Sequence, residues 1–450
     1  MKTKLTNFWE ALHTSFWFLP ALMTVAVIGL SFATIALDWA VQERLLKRVG
    51  LVWIGGIEGA RQLLSTIAGS MITVAGVVFS ITIVVLALAS SQFGPRLLRN
   101  FMRDRGNQVV LGTFIATFTY CLLVLRSIHG GDGAAFVPYI SVSLGIALAL
   151  VSVAVLIYFI HHVSVIIQAP TVITMVAAEL EDGIDRLFPE KLEQGRPMPP
   201  KHHKPIPRNF DQHAQPIAAF HTGYLQSIDN EGLMRIATDN DLVMRLNYRP
   251  GKFIIAGSAL LLAWPRQRVG EQLGNPINAA FILGNDRTPI QDVEFCIDQL
   301  VEVAVRALSP GINDPFTAMT CIDRLGAALC QLSEREIPSP YRYDHDDKLR
   351  VIVDPVTFAG VTDGAFNQIR QYGRSSTAVT IRLLEIIELV LKRVRREDDG
   401  RALLRQAMMI ERGAQALTDE WDREDVMKRY RAVLDSLSAA GVMIDQQSVV

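Results

Sequence analysis

The chain has 450 residues, half of them hydrophobic and 20% charged, with a mean hydropathy of +0.25. That is too apolar for an ordinary soluble protein and places part of the chain in a lipid bilayer. A formal net charge of −1 leaves no global electrostatic argument for a nucleic-acid partner.

Four uncharged apolar runs, 16–37, 65–89, 109–125 and 134–160, approach or exceed the roughly 20 residues that a helix needs to cross the hydrocarbon core. The first is too long for the apolar region of a cleavable signal peptide, and no A-x-A-like site follows it directly. Four transmembrane helices are therefore expected. With both termini inside, the cytoplasm receives Lys2, Lys4, Arg96, Arg99, Arg103, Arg105 and Arg186. The outside receives Arg44, Lys47, Arg48, Arg61 and the rim residue Arg126. The excess is modest, but it follows the positive-inside rule and predicts cytoplasmic N- and C-termini.

The first loop, 38–64, spaces Val52, Ile54, Ile57, Ala60 and Leu64 apolarly, with Trp39 and Trp53 as interface anchors. It reads either as a helix lying on the membrane surface or as an ordinary loop with one helical turn.

Along the second run, Gly69, Thr73, Gly76, Ser80, Ala87 and Ser90 recur in steps of four and three, and Ile83 fills the one bulky step. Such spacing draws a strip of small and hydroxylated residues along one helix face. Close helix packing is one use of that strip; lining a pore in a homo-oligomer, with Ile83 as a constriction for ions, is the other. Phe93, Gly94 and Pro95 then break the helix at the rim. Arg96, Arg99 and Arg103 follow at helical spacing, as an anchor in anionic headgroups or a basic vestibule.

The fourth run carries no charge from 133 to 178, and its helix is expected to continue past the bilayer. His161 and His162 are adjacent and cannot share a helix face for metal ligation. Residues 189–210 are rich in proline and basic residues and read as a linker. Strands are expected at "TGYLQSID" and "DLVMRLNY" around a helix at "NEGLMRIATDN". A Pro-Gly turn, a short strand, a Gly turn and another strand follow in "RPGKFIIAGSALLLAW". The fold class is thus a mainly α membrane protein. Its domains are 1–168, four transmembrane helices; 169–215, helix extension and linker; 216–286, a small β-rich module; and 287–450, a helical cytoplasmic domain.

The helical domain opens at Thr288-Pro289-Ile290-Gln291, a start signal with Thr288 as N-cap. Ser309, Pro310 and Gly311 end the first helix. Asp314 caps the next with Pro315 at its first position, leaving Ile312 and Asn313 unexplained. Further helices are expected at 356–372, 376–396, 401–417 and 424–437. Cys121, Cys296, Cys321 and Cys330 lack metal-ligand spacing; Cys121 lies inside an apolar run, and the other three read as small core residues. "YDHDD" at 343–347 gathers carboxylates on a loop and reads as solvated rather than as a cation site. No nucleotide-loop, nucleophile-elbow or zinc-protease motif occurs, so no enzyme, cofactor or metal is expected.

"LASSQFGPRLLRNF", "RPGKFIIAG", "DRTPIQDVEFCIDQLVEVAVRALSPGINDPFTA" and "AFNQIRQYG", following four spans, resemble a bacterial family of predicted integral membrane proteins of unknown function. The resemblance implies an inner-membrane protein and supplies no catalytic residue. The expected function is an oligomeric channel or channel-like transport protein with a cytoplasmic collar. The alternative is a membrane-anchored sensory or scaffolding protein. The expected partners are the lipid bilayer, further copies of the chain and ions, without nucleic acid.

Overall fold

The computed structural model describes residues 17–40, 56–97, 101–102, 104–129, 136–189 and 206–439. The chain divides into two compact units, Met1–Thr171 and Val172–Val450.

The described residues of the first unit contain four helices long and apolar enough to cross a membrane: α1 (Phe18–Ala40), α2 (Ile57–Phe93), α3 (Arg105–Ser127) and α4 (Tyr139–Ile166). α3 is the central helix and packs on the other three. Gly112 permits the closest approach: a side-chain carbon there would stand 3.2 Å from the Cα of Pro20 on α1. α2 has 37 residues and spans about 55 Å at 1.5 Å per residue, well beyond a hydrocarbon core of about 30 Å.

Its first two turns correct the reading of residues 57–64, which neither loop nor lie apart as a surface helix. Ala60 and Leu64 are fully buried beside Tyr120, Cys121 and Val142, so the apolar spacing marks the packed start of a spanning helix. Val52, Trp53 and Ile54 lie outside the described residues. Trp39 stacks on Phe136 with ring centroids 4.4 Å apart.

The fourth run is also corrected. α4 ends at Ile166, and a new helix, α5 (Ala169–Leu187), starts two residues later, with Pro170 near its beginning. In the second unit α5 buries Val172, Ile173, Val176, Leu180 and Ile184. Asp185 is held by Arg335 and, at 2.6 Å, by Gln331 Nε2.

The β region forms two sheets. β2 (Gly223–Ile228) is flanked antiparallel by β4 (Phe253–Ile254) and β6 (Phe281–Gly284). The larger sheet joins β1 (Gln215–Ala218), β5 (Ala259–Trp264), β3 (Val243–Leu246), β8 (Leu349–Ile352) and β7 (Tyr341–Tyr343), in that order. Their core gathers Leu225, Leu233, Met244, Ile254, Leu261 and Ile277, with α6 (Asn230–Asp239) and α7 (Gly274–Ala280) covering it.

β7 and β8 lie within 287–450, expected as a helical domain, and β8 pairs in parallel with β3. Arg350 fixes this return, bonding Asp344 Oδ2 at 2.6 Å and Asp241 Oδ1 at 2.7 Å. Asp344 also accepts the amides of Asp346 and Lys348, which hold its carboxyl below the usual range together with Arg350. The "YDHDD" segment is therefore a hairpin turn organised by one inward carboxylate.

The helical layer consists of α8 (Val293–Ala307), α9 (Pro315–Ser333), α10 (Phe358–Gly373), α11 (Thr377–Leu391), α12 (Glu397–Ala414) and α13 (Glu420–Ala439). α11, in the stretch 376–396 expected to be helical, buries Val379, Leu383, Ile386, Ile387 and Val390.

Candidate functional site

The strip on α2 faces away from its own bundle. Gly69, Thr73, Gly76, Ser80, Ile83 and Ala87 are exposed, Ser90 is half-buried, and no atom stands within 4 Å of a side-chain carbon built on Gly69 or Gly76. The packed face is instead Ala60, Leu64, Ala68, Met71, Ala75, Val78, Thr82, Val85 and Ala89. The two series have the same period and are offset by one or two residues in alternation, a rotation of about 150° on a 3.6-residue helix. Among the described residues of one subunit, then, nothing packs on the glycines of the strip. The hydroxyls of Thr73 and Ser80 donate back to the carbonyls of Gly69 and Gly76, at 2.8 and 2.9 Å. A helix face that satisfies its own hydroxyls in this way can meet lipid or another helix without stranded polar groups.

Polar chemistry inside the bundle lies on the other helices. Tyr120 Oη donates to the carbonyl of Ser141 at 3.1 Å and pairs with Thr34 Oγ1 at 3.1 Å, while Thr117 pairs with Ser152. At the α1 terminus, Asp38 accepts the amides of Ile140 and Ser141 at 2.8 and 3.0 Å, and the Ser141 hydroxyl at 2.7 Å. A carboxylate from α1 thus caps the N-terminus of α4, where helical amides have no partner of their own. The sequence signal for this is the acid closing the first apolar run, a signal that a search along α2 misses.

At the opposite helix ends, Asp104 caps α3 and binds His162 Nε2 at 2.7 Å, and Tyr158 stacks on the same imidazole. The break after α2 forms as expected: Phe93 is the last helical residue, Gly94 follows at φ 111°, and Pro95 begins a single 3₁₀ turn. Phe93 and Leu97 are buried and Arg96 is exposed. Arg99 and Arg103 lie outside the described residues.

In the second unit, two of the stretches that carry the resemblance converge. Gly251 and Lys252, Arg287 with Glu294 and Asp298, and Gly360 and Gly364 of α10 line a cleft of about 240 Å3. Arg287 bonds Asp292 Oδ2 at 2.8 Å and also pairs with Asp298; Arg249 bonds Glu294 at 2.6 Å. Burial pushes the Asp292 carboxyl up, against the pull of Arg287. Cations and carboxylates here largely neutralise one another, and no nucleophile stands beside a base.

The start of α8 is a correction. Its cap is Asp292, which accepts the amide of Phe295 at 3.2 Å, four residues beyond the expected Thr288. Gln291, read as part of a capping box, instead bonds both the amide and the carbonyl of Ile228 on β2. Tertiary pairing with a strand outcompetes the local cap.

The corner between α8 and α9 forms as its residues dictate. Asp314 accepts the Thr317 amide at 3.1 Å and its hydroxyl at 2.5 Å, and Pro315 occupies the first turn. Ser309 O accepts the Asn313 amide at 2.8 Å, downstream of Pro310 and Gly311. Asn313 adopts φ +51°, a left-handed conformation that asparagine tolerates better than most residues, which accounts for its presence. Ile312 and Phe316 remain exposed.

These features define a class: an integral membrane protein with a four-helix apolar bundle and a large mixed α/β second unit. The chain belongs to DUF2254, a family of predicted membrane proteins, whose pattern matches residues 13–388. It is 33% identical over 424 residues to uncharacterized proteins of Mycobacterium tuberculosis and Mycobacterium bovis, covering 93% of this chain and 80% of each relative. No solved structure matches.

Proposed function

We propose that the protein is a homo-oligomeric, channel-like membrane protein of the bacterial inner membrane. In this reading α2 faces the symmetry axis, and the second unit forms a cytoplasmic collar. The observation that carries it is the outward direction of Gly69, Thr73, Gly76, Ser80, Ile83 and Ala87. A face meant only for lipid has no use for two glycines and two hydroxyls in register, whereas small residues let a helix approach its own copies closely. Around a wider axis the same strip leaves room for water and ions, with Ile83 as the apolar constriction. Lys2, Lys4, Arg96, Arg99, Arg103 and Arg105 support cytoplasmic termini by the positive-inside rule.

Recording from the purified full-length protein in planar bilayers tests the reading, across voltage, tension and ion type. Conductance that Ser80→Leu or Gly76→Val abolishes or alters supports it. A silent wild type whose Gly76→Cys variant still cross-links between subunits favours the alternative, in which the spans tether and oligomerise a sensory or scaffolding unit. A silent wild type without cross-links removes the axis altogether.

A further inference from the structure

Arginines in the helical layer are for the most part neutralised by carboxylates. Arg382 bonds Asp323 at 2.6 Å and Glu385 at 3.0 Å, Arg393 bonds Glu334 at 2.9 Å, Arg396 bonds Asp399 at 2.7 Å, and Arg405 bonds Asp363 at 2.7 Å. Among the described residues several others have no carboxylate partner, Arg324, Arg423 and Arg431 among them, and three of the rest share one cleft. Arg370 and Arg374, one turn apart at the end of α10, and Arg412, in the last turn of α12, line a common cleft of about 330 Å3 with Gln371, Met409 and Gly413. Among the described residues none of the three makes an ion pair or a hydrogen bond. Glu411, next to Arg412 in sequence, forms no ion pair with it.

Arg370 is the informative member. Its Nε is buried without any partner, and burial pushes its guanidinium below arginine's ordinary value with no carboxylate to offset it. A buried donor left unmatched is destabilising unless something satisfies it. Cations at helix C-termini do complement the helix dipole, and both α10 and α12 end at this cleft. That effect is too small to account for three guanidiniums. Two helix ends supply about half a negative charge each, so three arginines leave an excess of about two positive charges. A dianion balances that excess.

We propose that the cleft of Arg370, Arg374 and Arg412 binds a phosphate or phosphomonoester dianion. Planar guanidinium forks match the oxygens of a phosphate group, and here a half-buried Arg370 and the exposed Arg374 and Arg412 line one cleft, the residue type such recognition uses. Its volume lies at the small end of ligand pockets, enough for a phosphate group and a small substituent lying on Met409. The site lies within the second unit and is independent of the channel reading. Arg370 belongs to the "AFNQIRQYG" stretch, so a third segment of the resemblance contributes to it.

The test uses the full-length protein in neutral detergent at constant ionic strength, with inorganic phosphate titrated against chloride. A second arm uses nanodiscs containing phosphatidic acid, a phosphomonoester headgroup, or phosphatidylglycerol, a phosphodiester. Saturable binding of phosphate is expected, at least tenfold weaker in Arg370→Gln/Arg374→Gln and in Met409→Trp, which fills the cleft while keeping every charge. Arg393→Gln, which removes a paired arginine, should bind as the wild type does. Melting without ligand reports folding, and Arg→Lys replacements at the same positions should bind between wild type and Gln if a Gln variant fails to fold. Binding of free phosphate identifies a soluble ligand. Binding confined to phosphatidic acid nanodiscs, and lost in the variants, identifies a lipid headgroup. Absence of saturable binding in both arms, or equal binding by wild type and Met409→Trp, overturns the proposal.

Discussion

The carboxylate of Asp292 stands in the space that a side chain on residue 251 would need. Gly251 turns the chain at φ +91°, and the Asp292 oxygens beside it cap α8 and bind Arg287. A glycine in "RPGKF" and an acid forty-one positions later are thus parts of one joint between the sheet region and the helical layer.

Gly251→Ala combines left-handed strain with displacement of a helix cap. Each of these costs about 1–2 kcal/mol, so a loss of at least about 2 kcal/mol is expected. Chemical unfolding of the full-length protein in neutral detergent measures it. A neutral result would mean that the joint relaxes without loss.

Asp314 caps α9, and its carboxyl is held below the usual carboxylate range, first by the Thr317 hydroxyl and then by backbone amides. A carboxyl depressed in the folded state stabilises at neutral pH, and that contribution disappears as pH falls through its folded value. Asp314→Ala should cost about 1 kcal/mol at pH 7. Asp314→Asn should keep most of the cap and cost less. The gap between wild type and Asp314→Asn should close as pH drops below about 4. Unfolding midpoints at a series of pH values check both statements.

Asp38 satisfies two amides and one hydroxyl at the start of α4. Asp38→Ala strands both amides in a buried setting, at about 1–3 kcal/mol each. Ser141→Ala removes only one donor and should be much milder. Unfolding of the full-length protein by an anionic detergent added to neutral micelles ranks the two variants.

Ala68 and Gly69 are neighbours with opposite fates. Ala68 is 3% exposed beside Leu64 and Cys121, so Ala68→Leu overpacks the bundle and should destabilise the subunit by about 1–3 kcal/mol. Gly69→Leu points outward and should leave subunit unfolding unchanged, while disrupting assembly if copies pack through the strip. Unfolding and light scattering on both variants separate the two effects.

Cys296 and Cys321 are buried and their thiols are pushed far up by burial, whereas Cys330 is half-buried and raised less. Thiolate is the reactive form. At pH 8 a maleimide should label Cys330 first, and should reach Cys296 and Cys321 only in unfolding detergent. Mass spectrometry of timed samples gives the order.

Features written in adjacent residues were legible in advance. The four spans follow from the lengths of uncharged runs, because a bilayer selects on a local sum of hydropathy. The Gly94-Pro95 break and the Ser-Pro-Gly and Asp-Pro corner follow equally from local sterics and caps. So does the existence of a periodic strip on α2.

Tertiary structure decided everything that depended on a distant partner. Period alone cannot say which of two faces about 150° apart meets α3, so the outward direction of the strip required the packed bundle. Thr288 offers a good local cap, yet Gln291 pairs with Ile228, and Asp292 takes the role. β7 and β8 are too short to declare themselves before β3 accepts β8 as its parallel neighbour. Arg370 and Arg412 carry no shared spacing. They become one basic cleft only because the ends of α10 and α12 meet, and charge in a fold is read by proximity in space rather than by distance along the chain.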